Sequence, residues 1–492
     1  MSRILFQLPL HPPRHGPEWG SGGIFGLKYH RGVLYYTLSF EAKSYFISED
    51  EVIEYDFNYI GPAPRSGGDT YNAVDVVDEF IYFGGWVHAP AVYKGKSKYG
   101  STISFVNKYS HVHEYDVANN NVRLLWKESI HHETKWAGEV SEIIYDPIND
   151  RLLVARADGH VNLGVYEVNR SNGKIKQLAS YPALKGSMYL DYACFGINVH
   201  PKGIRGIECI DLVNDKVIVR ELRNISSISV DGDGVYSPRV GVAISAYGRL
   251  FTFVKGGVIV GNPVDESMES LRFIRLFDFV KAEYGPLRTM AKPVGGGVLI
   301  AFNSQSRAIL HPLKGEEELQ RALNTVIGPS ILLYVTPPIA RIIGIFGARI
   351  TSIERIGDKL LLATNTMANL ERYDATPIDV GYRDFIILSM DILYRNPPVS
   401  FKVTGKIVED KTFGGIPLTG YKEPYIRIHT TKSNKLTIKY YDLSLPPNEA
   451  QEDEYELKEG ANIIDLKSYR DYIVSFKLDR PDHDSTIKIN LY

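Results

Sequence analysis

Three arginines, Arg239, Arg288 and Arg349, each stand just before a hydrophobic strand-like run, and Asn72, Glu139 and Asp191 hold the corresponding positions earlier in the chain. A cluster of guanidinium groups suits a carboxylate, phosphate or sulfate, because the planar fork donates two parallel hydrogen bonds to paired oxygens. Glu139 and Asp191 suit acid–base chemistry on a sugar, one giving a proton and the other acting as base or nucleophile, provided the fold sets their separation. Trp86 and Trp136 sit where a sugar ring could stack. His88 and His160, in loops after apolar strands, would add a second ring of polar groups. The competing reading is that the arginines and acids pair with one another and only close a channel.

Metal chemistry finds weaker support. His15, His88, His131, His132 and His160 offer enough imidazole for zinc or iron, yet no local spacing favours a site. His131 and His132 point opposite ways along an extended chain, while His111 and His113 share a side, where a solvent-facing stripe is expected. No metal ligand is assigned, and no cofactor can be named. Gly295 to Gly297 leads into a strand without a following helix, so it is no phosphate loop. Asp231-Gly-Asp-Gly lacks the glutamate of a calcium loop and reads as a turn.

These residues need a scaffold that brings distant positions together. From the amino terminus to about residue 395 the chain repeats one phrase: a short strand, a tight turn, a very apolar second strand, then a polar loop and alternating strands. Second strands begin at Gly32, Glu79, Arg151, Arg249, Gly297 and Lys359, with a seventh copy around Tyr189. The presumptive strand-start residues recur every 48–67 positions, a spacing that fits four-stranded blades. The fold expected is all-β: a seven-bladed β-propeller over residues 1–396, then a small antiparallel β-sandwich over 399–492. Tyr394-Arg-Asn-Pro-Pro marks the boundary, since consecutive prolines cannot continue a central strand. Gly315 to Val326 has helical spacing, and Pro446 to Glu454 reads as an acidic loop within the sandwich.

Composition limits the partners. In 492 residues, 56 basic side chains face 58 acidic ones, which gives no electrostatic reason to expect nucleic acid or an anionic membrane. No run approaches a membrane span and no signal peptide is recognisable, so a cytoplasmic protein is expected. The two cysteines, Cys194 and Cys209, read as buried free thiols. Glutamine is scarce, with five in the chain, a bias seen in thermophile proteins.

Phe83-Gly-Gly-Trp-Val-His-Ala-Pro, Trp136-Ala-Gly-Glu-Val-Ser and Thr364-Asn-Thr-Met-Ala-Asn-Leu-Glu-Arg-Tyr-Asp carry a resemblance. Through them the chain resembles an uncharacterised family of archaeal propeller-like proteins, mainly from thermophilic crenarchaea, over most of the propeller region. The resemblance implies an archaeal thermophile as source and brings no activity with it. From the residues, the function expected is binding of a small anionic or sugar-like ligand in the axial funnel, with hydrolase or lyase chemistry left open. The alternatives are a non-catalytic scaffold for protein partners or a homo-oligomer, and a histidine-ligated metal enzyme.

Overall fold

The computed structural model describes the chain except residues 1–6, 13, 16–22, 40, 64–66, 89–90, 98–99, 106, 132–137, 158–161, 200–202, 223–239, 281–283, 287, 305–329, 366–379 and 382. The protein is all-β. Among the described residues, seven antiparallel sheets of three to five strands follow one another between Ile24 and Ser389, with a two-stranded hairpin, Ala91–Ser97 and Gly100–Phe105, inserted in the second, and two further four-stranded sheets lie between Val399 and Leu491. The first five of the seven have four strands, the sixth has five and the seventh three.

The first strands of successive sheets stand side by side. Ile24–His30 lies against Gly68–Val77, which lies against Glu139–Asp146, then Ala183–Tyr189 and Val240–Ala246. Gly241 packs on the main chain of Pro286 at the start of the sixth sheet, where a Cβ would come within 2.5 Å of the Pro286 oxygen. Arg349–Ile356 of the seventh sheet then meets Ile24–His30 of the first, with Leu27 N donating to Ser352 Oγ at 2.9 Å. The order of sheets therefore closes on itself.

This arrangement explains why the second strands are so apolar. Val33–Leu38 and Arg151–Ala157 are buried along their whole length, because a neighbouring sheet covers each face. Turns at Arg31-Gly32, Tyr247-Gly248 and Gly295-Gly296 hold positive φ at both residues, the type I′ geometry whose twist matches that of the strands. The last of these accounts for the glycine run at Gly295–Gly297, which leads into a strand as its sequence implies.

In the C-terminal part the strand orders place Thr486–Leu491 between Val399–Thr404 and Tyr425–Thr430, and Asn434–Tyr441 between Ile473–Leu478 and Gln451–Leu457. Phe401, Ile428, Ile438, Phe476 and Ile489 share one hydrophobic core with Phe253, Phe277, Phe302 and Ile342 of the fifth and sixth sheets. Main-chain bonds reinforce that contact: Phe277 N donates to Gly415 O at 3.1 Å and Asp278 N to Gly414 O at 2.9 Å.

Three expectations change. Cys194 and Cys209 form a disulfide, because they face each other directly in neighbouring strands with Cα atoms 4.0 Å apart. The acidic stretch after Pro446 is in part an exposed edge strand, Gln451–Leu457, with Lys435 and Lys439 opposite Glu454 and Glu452. Charges on an edge strand suppress pairing with other chains, so acidity there marks a strand as readily as a loop. His111 and His113 are buried against Phe57 and Tyr55 of the first sheet and do not face solvent. The helical pattern from Gly315 and the Asp231 turn lie outside the described residues. Among the described residues no helix is long and apolar enough to cross a membrane.

Candidate functional site

In six of the seven sheets the first strand carries a β-bulge near its start, where the ladder is interrupted and the strand re-aimed. The bulges differ in size. In the third, fifth and seventh sheets a single residue is extra (Ser141, Gly241, Thr351), whereas the second sheet places residues 70–72 between Asp69 and Ala73. Register counted along the sequence therefore drifts from sheet to sheet.

Glu139 and Arg349 share one structural position. Glu139 opens its strand opposite Ala157 and Arg349 opens its strand opposite Asn365, both just before the bulge, and both are buried. Counted from the bulge, the equivalent positions in the first and fourth sheets are apolar, at Ile24–Phe25 and Pro182–Ala183, and in the fifth the position is residue 239, outside the described residues, since Val240 matches Val140 and Ile350.

Asn72 lies deeper, inside the bulge, with φ of 59°. Its amide crosses the centre: Nδ2 donates to Thr351 O at 3.0 Å and Thr289 O at 3.3 Å, and Oδ1 accepts from Gly26 N at 2.6 Å. One side chain thus ties the second sheet to the first, sixth and seventh. Its donors and acceptor are spent on main chain, so it acts as a brace.

The remaining residues named from the sequence scatter. Asp191 sits in the exposed hairpin turn after Ala183–Tyr189, at the far end of the strand from its start. Arg288 is half-buried, with φ of 51°, between Tyr284–Gly285 and Lys292–Val294. Trp86 is buried within Phe80–His88 between Asp69 and Ser110, and so presents no open face for stacking. His88 ends that strand opposite Lys108. Arg239, Trp136 and His160 lie outside the described residues. Asn303, from the expected second ring, is structural: its amide receives Ile350 N and donates to Ile350 O, fastening the sixth sheet to the seventh.

Sequence reading missed a buried pair beside Glu139. Lys185, in the bulge of the fourth sheet, donates to Ser141 O at 2.5 Å and lies 3.4 Å from Glu142 Oε2. Burial lowers the Lys185 ammonium below its ordinary range, opposed by Glu142 and more weakly by Glu139. Burial likewise raises the Glu142 carboxyl, against the pull of Lys185 and the amides of Gly186 and Ile143. The two shifts bring the proton affinities of the amine and the carboxyl toward each other, which favours proton exchange between them. The only signal in the sequence was a lysine inside an otherwise apolar strand, Ala183-Leu-Lys-Gly-Ser.

A family model for an uncharacterised protein conserved in archaea, DUF2139, matches residues 34–373, from the first sheet into the seventh. The chain belongs to the DUF2139 family. No curated protein sequence matches this DUF2139 member. Solved structures resemble it at low scores. An exo-β-1,3-galactanase from Phanerochaete chrysosporium has 7% identity over 85% of this chain and 95% of its own, with a TM-score of 0.28. A putative 6-phosphogluconolactonase from Bacteroides uniformis has 11% identity over 75% and 100%, with a TM-score of 0.36. An oligogalacturonate lyase from Vibrio parahaemolyticus has 10% identity over 57% and 73%, with a TM-score of 0.34. Likeness at this level assigns no activity to the DUF2139 chain.

Proposed function

We propose that the closed series of sheets is a seven-bladed β-propeller, that residues 399–492 are a β-sandwich packed on its flank, and that a small anionic or carbohydrate-like ligand binds where Glu139 and Arg349 begin their strands. The observation that carries this reading is the equivalence of those two positions. Opposite charges occupy one register of a series whose first and fourth sheets place apolar residues there. Buried charge is costly, and its concentration at one end of a fold is a mark of sites. Arg349 and the half-buried Arg288 hold the charged group of the ligand. Glu139 handles a proton, and Lys185 with Glu142 supplies the acid–base partner behind it, chemistry suited to a hydrolase or lyase.

A thermal-shift screen tests this with galacturonate, glucuronate, sialate, a sugar phosphate and inorganic phosphate, on the wild type, Arg349→Ala and Glu139→Gln. A ligand at about 100 times its Kd adds ~2.7 kcal/mol of stability. The expected outcome is a shift of several degrees with one ligand class that both variants lose. No shift of the wild type with any of them sinks the reading.

The glutamine scarcity favours a thermophilic source. In such organisms the Cys194–Cys209 bridge is compatible with a cytoplasmic location, because intracellular disulfides persist there.

A further inference from the structure

A cleft of about 840 Å³ opens between the outer strand of the fifth sheet, Arg272–Arg275, and the C-terminal strand Asn434–Tyr441 with the loop after it. Arg272–Arg275 is an edge strand, paired only with Gly257–Gly261. Which of its main-chain groups face the cleft follows from the ladder. Leu276 N donates to Gly256 O, so the pairs Ile274–Val258 and Arg272–Val260 also exchange bonds inward, in the alternation of antiparallel strands. Phe273 and Arg275 therefore direct N–H and C=O outward. Tyr441 confirms the phase by donating its hydroxyl to Arg275 O at 3.0 Å. Just beyond, Phe277 and Asp278 are already paired by Gly415 and Gly414. Among the described residues no protein group pairs with Phe273 N–H and C=O or with Arg275 N–H.

The charge around this open edge is net acidic. Arg275 is neutralised by Asp278 and Lys439 lies 3.3 Å from Glu452, while Arg272 donates to Pro447 O and keeps its charge. Glu221, Glu266 and Asp442 also line the cleft, and none forms an ion pair among the described residues. An edge with free main-chain groups, walled by unneutralised carboxylates, fits a strand with cationic side chains.

We propose that this cleft binds an extended basic peptide segment of a partner protein, which adds to the Phe273–Arg275 edge by main-chain pairing while its lysines or arginines meet Glu221, Glu266 and Asp442. Because recognition rests on backbone and charge, a generic probe suffices. The test follows fluorescence anisotropy of a labelled hexapeptide alternating lysine and valine, titrated with the full-length protein.

Saturable binding is expected, weakened at least tenfold by E221K/E266K, which alters only exposed side chains. N-methylation of alternate peptide amides should abolish it, as should Phe273→Pro. A proline whose missing N–H would have pointed outward is tolerated on an edge strand, so this variant keeps the inward ladder. The proposal is overturned by equal binding of a glutamate–valine peptide, by indifference to E221K/E266K or to N-methylation, or by no binding at about 1 mM probe. Self-association of the protein that E221K/E266K disrupts would also overturn it, by showing a second copy as the occupant.

Discussion

His111 and His113 stand two residues apart on one strand with their Nδ1 atoms 3.0 Å apart, and neither Nε2 has a partner. Only one ring can donate through Nδ1, so the other carries its proton on a buried, unsatisfied Nε2. Burial holds both below the ordinary histidine range, His113 at about 3 and His111 well below 6.5. Since the folded values lie below the unfolded ones, stability is intact above pH ~6.5 and is lost as pH falls toward 3. At pH 5 His113 alone costs about 2 kcal/mol. Glu208, buried opposite Phe195 and Val219 with neither oxygen bonded, behaves in the opposite sense. Burial raises it to about 8, so it costs no stability below pH ~4.5, where it is neutral in both states, and stability falls as pH rises toward 8, by roughly 3 kcal/mol at pH 7. Urea denaturation across pH 4–9 should show H111L/H113F flattening the acid limb and Glu208→Gln the alkaline one. Unchanged limbs would mean that these groups are solvated or paired.

At the scale of elements, single asparagines bond the main chain across joints between sheets. Asn198 accepts Val240 N at 3.2 Å, joining the fourth sheet to the fifth just as Asn303 joins the sixth to the seventh. Asn303→Leu leaves Ile350 N–H and C=O buried without partners, so a loss of about 2–3 kcal/mol is expected in chemical denaturation. Gly415 is stricter still. It holds φ of 68°, and a Cβ there would stand 2.8 Å from the main chain of Arg275 and Leu276. Gly415→Ala should destabilise by at least ~2 kcal/mol and loosen the fifth sheet from the C-terminal part, read as faster amide exchange at Phe277 and Asp278. Native-like protection at those two amides would show that the contact can adjust.

At the scale of the whole molecule, the continuous core argues that the two regions fold as one. Phe277 and Phe279, between the fifth and sixth sheets, stack on Phe401 of the C-terminal part. A chain ending at Asn396 would expose the apolar side of the fifth and sixth sheets, a patch of the kind that drives aggregation. We expect that truncation to be insoluble, and residues 399–492 alone to melt well below the full chain. A soluble, cooperatively melting fragment 1–396 would show instead that the boundary separates independent units.

The sequence by itself determined the all-β class, the repeating strand phrase and the family, because alternation, tight glycine turns and apolar second strands are local properties written residue by residue. Glu139 and Arg349 were legible for the same reason, each standing directly before an apolar strand. Only the tertiary structure decided which positions are equivalent. Bulges of one to three residues shift the register between sheets, so Asn72 became a brace and Lys185 entered beside Glu139, while Asp191 belongs to the turn between the first and second strands of its sheet, a whole strand away. It also decided what is buried, closing Cys194 onto Cys209 and facing His111 and His113 inward, because burial depends on which sheet packs opposite, a contact made between residues far apart in the chain.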